Sequence, residues 1–151
     1  MNNSNTINGV VVTPLSQIVD ERGKVMHMLR EDSPVFNRFG EIYFSCANPG
    51  SIKAWKLHKE ITLNLAVVYG SVKLVVFDNR PKSLTQGVIL EVYLSPENYS
   101  LVTVPPLLWS GFQALGPEAV IVANCATLPH DPAEIERKPP FDPAIPYDWQ
   151  N

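Results

Sequence analysis

The segment Gly50-Ser51-Ile52-Lys53-Ala54-Trp55-Lys56-Leu57-His58-Lys59-Glu60 crowds lysines, a tryptophan and a histidine into what otherwise reads as a strand. Strand alternation puts Ala54, Lys56 and His58 on one face and Lys53, Trp55 and Leu57 on the other, unless a bulge re-aims one of them. Turned into a cavity, Lys56 and His58 are cationic groups whose pKa values burial lowers, so each becomes a usable base. Turned outward, the same lysines only protect an edge strand from aggregation. No metal is expected, because Lys56 stands where a first ligand would be needed before His58 and a protonated lysine repels a cation.

Other candidates are scattered along the chain. Tyr43 is a phenolic acid or plain core. Cys125 sits on an apolar strand beside Asn124, and a thiol is a usable acid. His130-Asp131 lies in a proline-flanked loop. Asp142, in Pro140-Phe141-Asp142-Pro143, is placed to fold back onto a lysine. Trp109 and Phe112 follow Pro105-Pro106 and are either core or a stacking surface for a base. Arg22 belongs to Asp20-Glu21-Arg22-Gly23, which reads as a turn.

These residues must be positioned by strands. Val10–Thr13, Val25–Arg30, Glu41–Ala47, Ser51–Lys59, Leu63–Tyr69, Val72–Phe77, Val88–Leu94, Leu101–Val104, Trp109–Leu115 and Val120–Ala126 are short apolar runs bounded by turn residues. Gly70-Ser71 predicts a tight hairpin. Pro132–Arg137 predicts one helical turn, and residues 1–8 are polar enough to fray. About ten strands at short, regular spacing with almost no helix predict an all-β sandwich or barrel, best closed as a single jelly roll over residues 9–151. The interior of such a barrel can hold a small ligand.

Composition agrees. The chain has 151 residues, the size of one domain. With 45% hydrophobic and 18% charged residues it is not short of core material. A net charge of −3 argues against a nucleic-acid-binding surface but permits a local basic pocket. The 14 prolines disfavour long helices. No apolar stretch approaches the roughly 20 residues of a membrane span. The segment MNNSNTING has no signal-peptide character, so a cytoplasmic protein is expected. Cys46 and Cys125, far apart, read as two buried, reduced thiols.

The order of short motifs resembles the dTDP-4-dehydrorhamnose 3,5-epimerase family. The residues concerned are Asp20-Glu21-Arg22-Gly23, Asp78-Asn79-Arg80 with Ser83, Thr85 and Gly87, Leu94-Ser95-Pro96-Glu97-Asn98, Val104-Pro105-Pro106 with Gly111-Phe112, and Asp142 with Ile145 and Trp149. The resemblance implies a cupin jelly roll, usually dimeric, with no metal or organic cofactor. It implies proton removal beside the 4-keto group of a nucleotide-linked 6-deoxy sugar, an enolate held by cationic donors, and reprotonation from the opposite face. Such a family member uses a His–Asp pair as base and a tyrosine as acid.

This chain departs from that pattern. The family's Arg-Gly-Leu-His looks like Lys53-Ala54-Trp55-Lys56, so the base position is Lys56, with His58 two residues on. Its aspartate looks like Asp142, and its tyrosine falls at about Asn124 or Cys125. Ser110 stands where a further histidine is usual. Trp-Lys-x-His-Lys and Pro129-His130-Asp131-Pro132-Ala133-Glu134 resemble a divergent branch of C3 epimerases acting on CDP- or dTDP-linked sugars, found among surface-polysaccharide genes. The expected catalytic set is therefore Lys56 held charged by Asp142, His58 or Tyr43 moving protons, and Cys125 as opposite-face acid. The expected substrate-binding set is Arg22 at the nucleotide and Lys53 at the phosphate, with Asn124, Trp109 and His130. One acid–base pair implies epimerisation at one centre, C3. The alternatives are a non-catalytic sugar-nucleotide-binding cupin and a 3,4-ketoisomerase.

Overall fold

The computed structural model describes residues 6–150. Its strands are β1 (Val11–Pro14), β2 (Gln17–Asp20), β3 (Gly23–Met26), β4 (Glu41–Ala47), β5 (Ile52–His58), β6 (Leu63–Tyr69), β7 (Ser71–Phe77), β8 (Ile89–Leu94), β9 (Ser100–Val104), β10 (Trp109–Leu115), β11 (Val120–Ala126) and β12 (Ile135–Arg137). A single 3₁₀ turn, Pro132–Glu134, precedes β12. Two five-stranded antiparallel sheets, β1-β9-β6-β11-β4 and β12-β5-β10-β7-β8, face one another, and β2-β3 forms a separate hairpin. This is the expected all-β jelly roll. Among the described residues no helix is long and apolar enough to cross a membrane.

The central strands β6 and β7 are nearly continuous apolar runs because both of their faces are covered. Their inner faces put Leu63, Leu65, Val67, Val72, Leu74 and Val76 into the main core. They are joined at Gly70, whose φ of +78° and close approach to Ala119 and Val120 leave no room for a Cβ. Leu15, Met26, Met28 and Leu29 pack over Ala66, Tyr99 and Leu101 on the outside of the first sheet. On the outside of the second sheet the C-terminal segment lays Ile145, Tyr147 and Trp149 over Trp55, Val75, Phe77 and Trp109.

Three local expectations change. Of the segment 1–8 expected to fray, residues 1–5 lie outside the described residues, while Ile7 is buried in the core and Asn8 is tied to Thr85 and Arg80. Cys46 is exposed, not buried, because it sits on the outer face of edge strand β4; neither cysteine forms a disulfide. The helical turn expected over 132–137 stops at Glu134, and Ile135–Arg137 instead pairs with β5 as an edge strand.

Candidate active site

The site begins with an irregularity in β5. Ser110 of β10 is opposite Lys56 and Gly111 is opposite Ala54, so Trp55 is the extra residue of a bulge. Trp55 exchanges two backbone hydrogen bonds with Lys138, and its indole N–H donates to the Pro140 carbonyl at 3.1 Å. The C-terminal segment thus holds the tryptophan against the outer face. Gly111 permits the close crossing, since a Cβ there would collide with Ala54. The bulge breaks the simple alternation expected of this strand, and Lys53, Lys56 and His58 all line one pocket.

That pocket lies between the sheets. Lys53, Lys56 and His58 of β5 and Ser110, Gly111 and Phe112 of β10 form one wall, and Tyr43 and Ser45 of β4 and Val122 and Asn124 of β11 form the other. Leu63, Leu65 and Leu74 make an apolar floor. The enclosed volume is about 90 Å³. A ligand larger than a small ring must therefore leave through the mouth, where Ser45, Lys53, Lys56, Arg137 and Lys138 line a basic groove.

His58 is 8% exposed, and its Nδ1 lies 2.5 Å from Glu134 Oε1. The other carboxylate oxygen of Glu134 accepts the backbone N–H groups of Glu60 and Ile61 at 3.0 and 3.1 Å. Burial alone would raise the Glu134 carboxyl. The hydrogen bonds from Glu60, His58 and Ile61 outweigh it and hold the group below the usual glutamate range. An ionised carboxylate only accepts, so Nδ1 is the ring nitrogen that donates to Glu134, and in the neutral ring the free lone pair is on Nε2.

Lys56 is exposed along part of its length, yet desolvation of its ammonium lowers its pKa, and the neighbouring charges of Arg137 and Lys53 lower it further. Lys53 Nζ bridges the mouth to β4, donating to the Cys46 carbonyl at 2.6 Å and to Ser45 Oγ at 3.1 Å. Tyr43 and Asn124 are register partners on β4 and β11, and the Asn124 amide donates to the Tyr43 hydroxyl at 2.9 Å. A phenol therefore stands on the wall where the motif comparison expected one, but it comes from the neighbouring strand. His130 closes the far side of the dyad, sharing a small opening with Tyr43, Lys56 and His58.

Four expected site residues lie elsewhere. The Asp142 carboxylate accepts the Ala144 N–H and caps a turn of the C-terminal segment, so the partner of the basic strand is Glu134 and not Asp142. Cys125 follows the inward Asn124 and by alternation faces out of the barrel, where burial raises its thiol pKa. Trp109 is core beneath Ile145 and Trp149, with Lys138 Nζ 5.3 Å from its ring centre, and offers no face to a base. Arg22 stands at the tip of the β2-β3 hairpin, paired with Asp20 at 2.7 Å, and lines neither the pocket nor the groove. Sequence reasoning missed Glu134, Arg137 and Lys138. Glu134 lay within the Pro-His-Asp-Pro-x-Glu stretch already singled out, so a signal was present.

A buried imidazole–carboxylate pair, a facing phenol and a cluster of cations at the mouth thus meet at a pocket between the two sheets of a cupin-like barrel. Comparison with known proteins narrows the class. The profile of the dTDP-4-dehydrorhamnose 3,5-epimerase family matches residues 4–151, and the chain belongs to that family. It is 46% identical to a dTDP sugar isomerase of known crystal structure from Desulfovibrio desulfuricans G20, with a TM-score of 0.93, covering 95% of this chain and 92% of the other. It is 32% identical to the probable low-salt glycan biosynthesis epimerase Agl13 of Haloferax volcanii, over 94% of this chain and 89% of that protein. It is also 28% identical to the spore coat polysaccharide biosynthesis protein SpsL of Bacillus subtilis strain 168, over 95% and 96% of the two chains.

Proposed function

We propose that this protein epimerises C3 of a nucleotide-linked 4-keto-6-deoxy hexose, in deoxysugar biosynthesis for a surface polysaccharide. The observation that carries this reading is the buried His58–Glu134 pair facing the Tyr43 hydroxyl across the barrel pocket. His58 Nε2 removes the C3 proton, which the 4-keto group has acidified. The resulting imidazolium is held by Glu134, and the enolate oxygen by the Lys56 ammonium. Tyr43 donates a proton to the opposite face of C3 from the opposite wall. The diphosphate extends into the groove of Lys53, Arg137 and Lys138, whose lining residues include no carboxylate. No step calls for a cofactor. A single base facing a single acid suffices for inversion at C3, and the fate of the C5 proton separates this reading from paired epimerisation.

The test is proton exchange followed by NMR in deuterated water, with CDP- and dTDP-4-keto-6-deoxyglucose as substrates. We expect the C3 signal to disappear and the C5 signal to persist, with the faster reaction identifying the nucleotide. Loss at both carbons would replace this with a 3,5-epimerase. Loss at neither would leave a sugar-nucleotide-binding cupin.

The working form we propose is a cytoplasmic homodimer. Exposed Ile42 and Phe44 on edge strand β4, with Ile18, Val19 and Val25 on the β2-β3 hairpin, supply apolar surface for a second copy. Arg22 at the hairpin tip is away from its own pocket, so it can meet a nucleotide only in a neighbouring subunit. Light scattering should return twice the 16.8 kDa chain mass. The monomer mass would overturn the dimer.

A further inference from the structure

The hydrogen bond between Asn124 and Tyr43 has a direction that can be read from its surroundings. Asn124 is 2% exposed. Its Oδ1 accepts the backbone N–H of Asn64 at 3.1 Å. A backbone N–H only donates, so the amide oxygen is committed to Asn64 and the NH₂ group must face Tyr43. The amide then donates to the phenol oxygen at 2.9 Å. Asn64 is itself held, donating its side-chain amide to the Cys125 carbonyl at 3.0 Å and accepting from Thr103 Oγ1 at 2.9 Å. The orientation of Asn124 is therefore set from the β6 side of β11, by Asn64. Tyr43 receives a hydrogen bond and keeps its own O–H, which meets no acceptor among the described residues and belongs to a side chain lining the pocket.

We infer that Asn124 is a positioning residue that makes Tyr43 a one-way proton donor for reprotonation, a role that rests on the epimerase reading above. As the new C3–H bond forms, the phenol O–H bond breaks and its electron pair stays on Tyr43 oxygen. The enolate collapses to the 4-keto group. The Asn124 N–H, already aimed at the phenol oxygen, stabilises the phenolate without any reorientation. Solvent then returns a proton to Tyr43 and takes the one held by His58, so the cycle balances.

Two variants separate positioning from mere packing. Tyr43→Phe removes the donor. Asn124→Asp keeps the size and can still accept the Asn64 N–H, but its carboxylate accepts the phenol O–H instead of donating to it. The quantity to measure is epimer formed per deuterium taken up at C3. Both variants should still take up deuterium through His58, while that ratio falls at least ~10-fold in each. Asn124→Ala, which neither donates nor captures, should lie between them and the wild type. A second readout does not depend on turnover. In the NMR spectrum, Tyr43→Phe should shift the Asn124 side-chain amide and leave the Asn64 backbone amide in place.

A wild-type ratio in Asn124→Asp alongside a lowered one in Tyr43→Phe would overturn the role of Asn124. An unmoved Asn124 amide in Tyr43→Phe would overturn the hydrogen-bond direction. A wild-type ratio in Tyr43→Phe would overturn Tyr43 as donor. No deuterium uptake by the wild type itself would overturn the epimerase reading, a result distinct from all of these.

Discussion

Replacing His58 by asparagine should lower the rate of C3 exchange by about 10²- to 10⁴-fold, the range for loss of a positioned general base. The substitution is chosen to spare the fold. An asparagine amide at position 58 can still donate toward Glu134, whose second oxygen keeps its bonds to the Glu60 and Ile61 N–H groups. What disappears is the Nε2 lone pair. Glu134→Gln tests the other half of the pair. Its new NH₂ group must face either His58 or the two backbone donors. In the first case the imidazole proton moves to Nε2 and the base is lost. In the second, buried N–H groups oppose one another at a cost of about 1–3 kcal/mol. Glu134→Gln should therefore lose most of the exchange rate and also melt earlier, whereas His58→Asn should lose only the rate. An unchanged exchange rate in folded His58→Asn would remove His58 from the chemistry.

The largest stability effect is expected away from the pocket, at Asp78. Its carboxylate is fully buried at the end of β7 and accepts from Arg80 Nε at 2.9 Å, Ser83 Oγ at 2.6 Å and Thr85 Oγ1 at 2.7 Å. Arg80 also reaches the Asn8 carbonyl at 2.7 Å, so this loop ties down the N-terminal segment. Asp78→Ala leaves a largely buried guanidinium and two hydroxyls without their acceptor. Breaking a buried pair in this way costs about 3–5 kcal/mol. For a chain of this length that is a fall in Tm on the order of 10 °C.

The same group has a pH signature. Burial would raise the Asp78 carboxyl, but the bonds from Arg80, Ser83 and Thr85 overcome this and hold it well below the usual value of 3.8. Its folded value is lower than its unfolded one. The stabilisation is therefore complete above pH 3.8 and is lost as pH falls from there towards the folded value. In urea unfolding, the gap between wild type and Asp78→Asn should be wide at pH 7 and shrink below pH 3.8. A gap independent of pH would mean that shape, not charge, holds the loop.

The motif order that resembled a sugar-epimerase family mixed residues of very different use. Asp78, Arg80, Ser83 and Thr85 look like a functional signature but form a closed hydrogen-bond network in a loop. Asp142 matched by position, yet its carboxylate caps a turn. Glu134 carried no role in that comparison and became the partner of His58, 76 residues away along the chain. Motif order reports common descent of a fold. It does not say which carboxylate reaches which ring once residues have been exchanged within the site.

The sequence by itself determined most of the strands, though not β2 or β12 and not the bounds of β3, because β-branched runs and their bounding Gly, Pro, Asn and Asp residues act through local sterics. It also determined that Lys56, His58 and Tyr43 were the groups worth following. Tertiary structure decided the rest. Alternation along a strand is local, but which face is inside depends on sheet closure, and that placed Asn124 in the pocket and Cys125 outside it. The Trp55 bulge exists because β10 offers Gly111 for a close crossing while Lys138 and Pro140 hold the tryptophan from outside. That bulge brings Lys53 into line with Lys56 and His58, which two-residue periodicity alone would forbid. Pairings such as His58 with Glu134, and Tyr43 with Asn124, join segments far apart in the chain. They are set by the register of strands brought together by core burial, and no local preference encodes them.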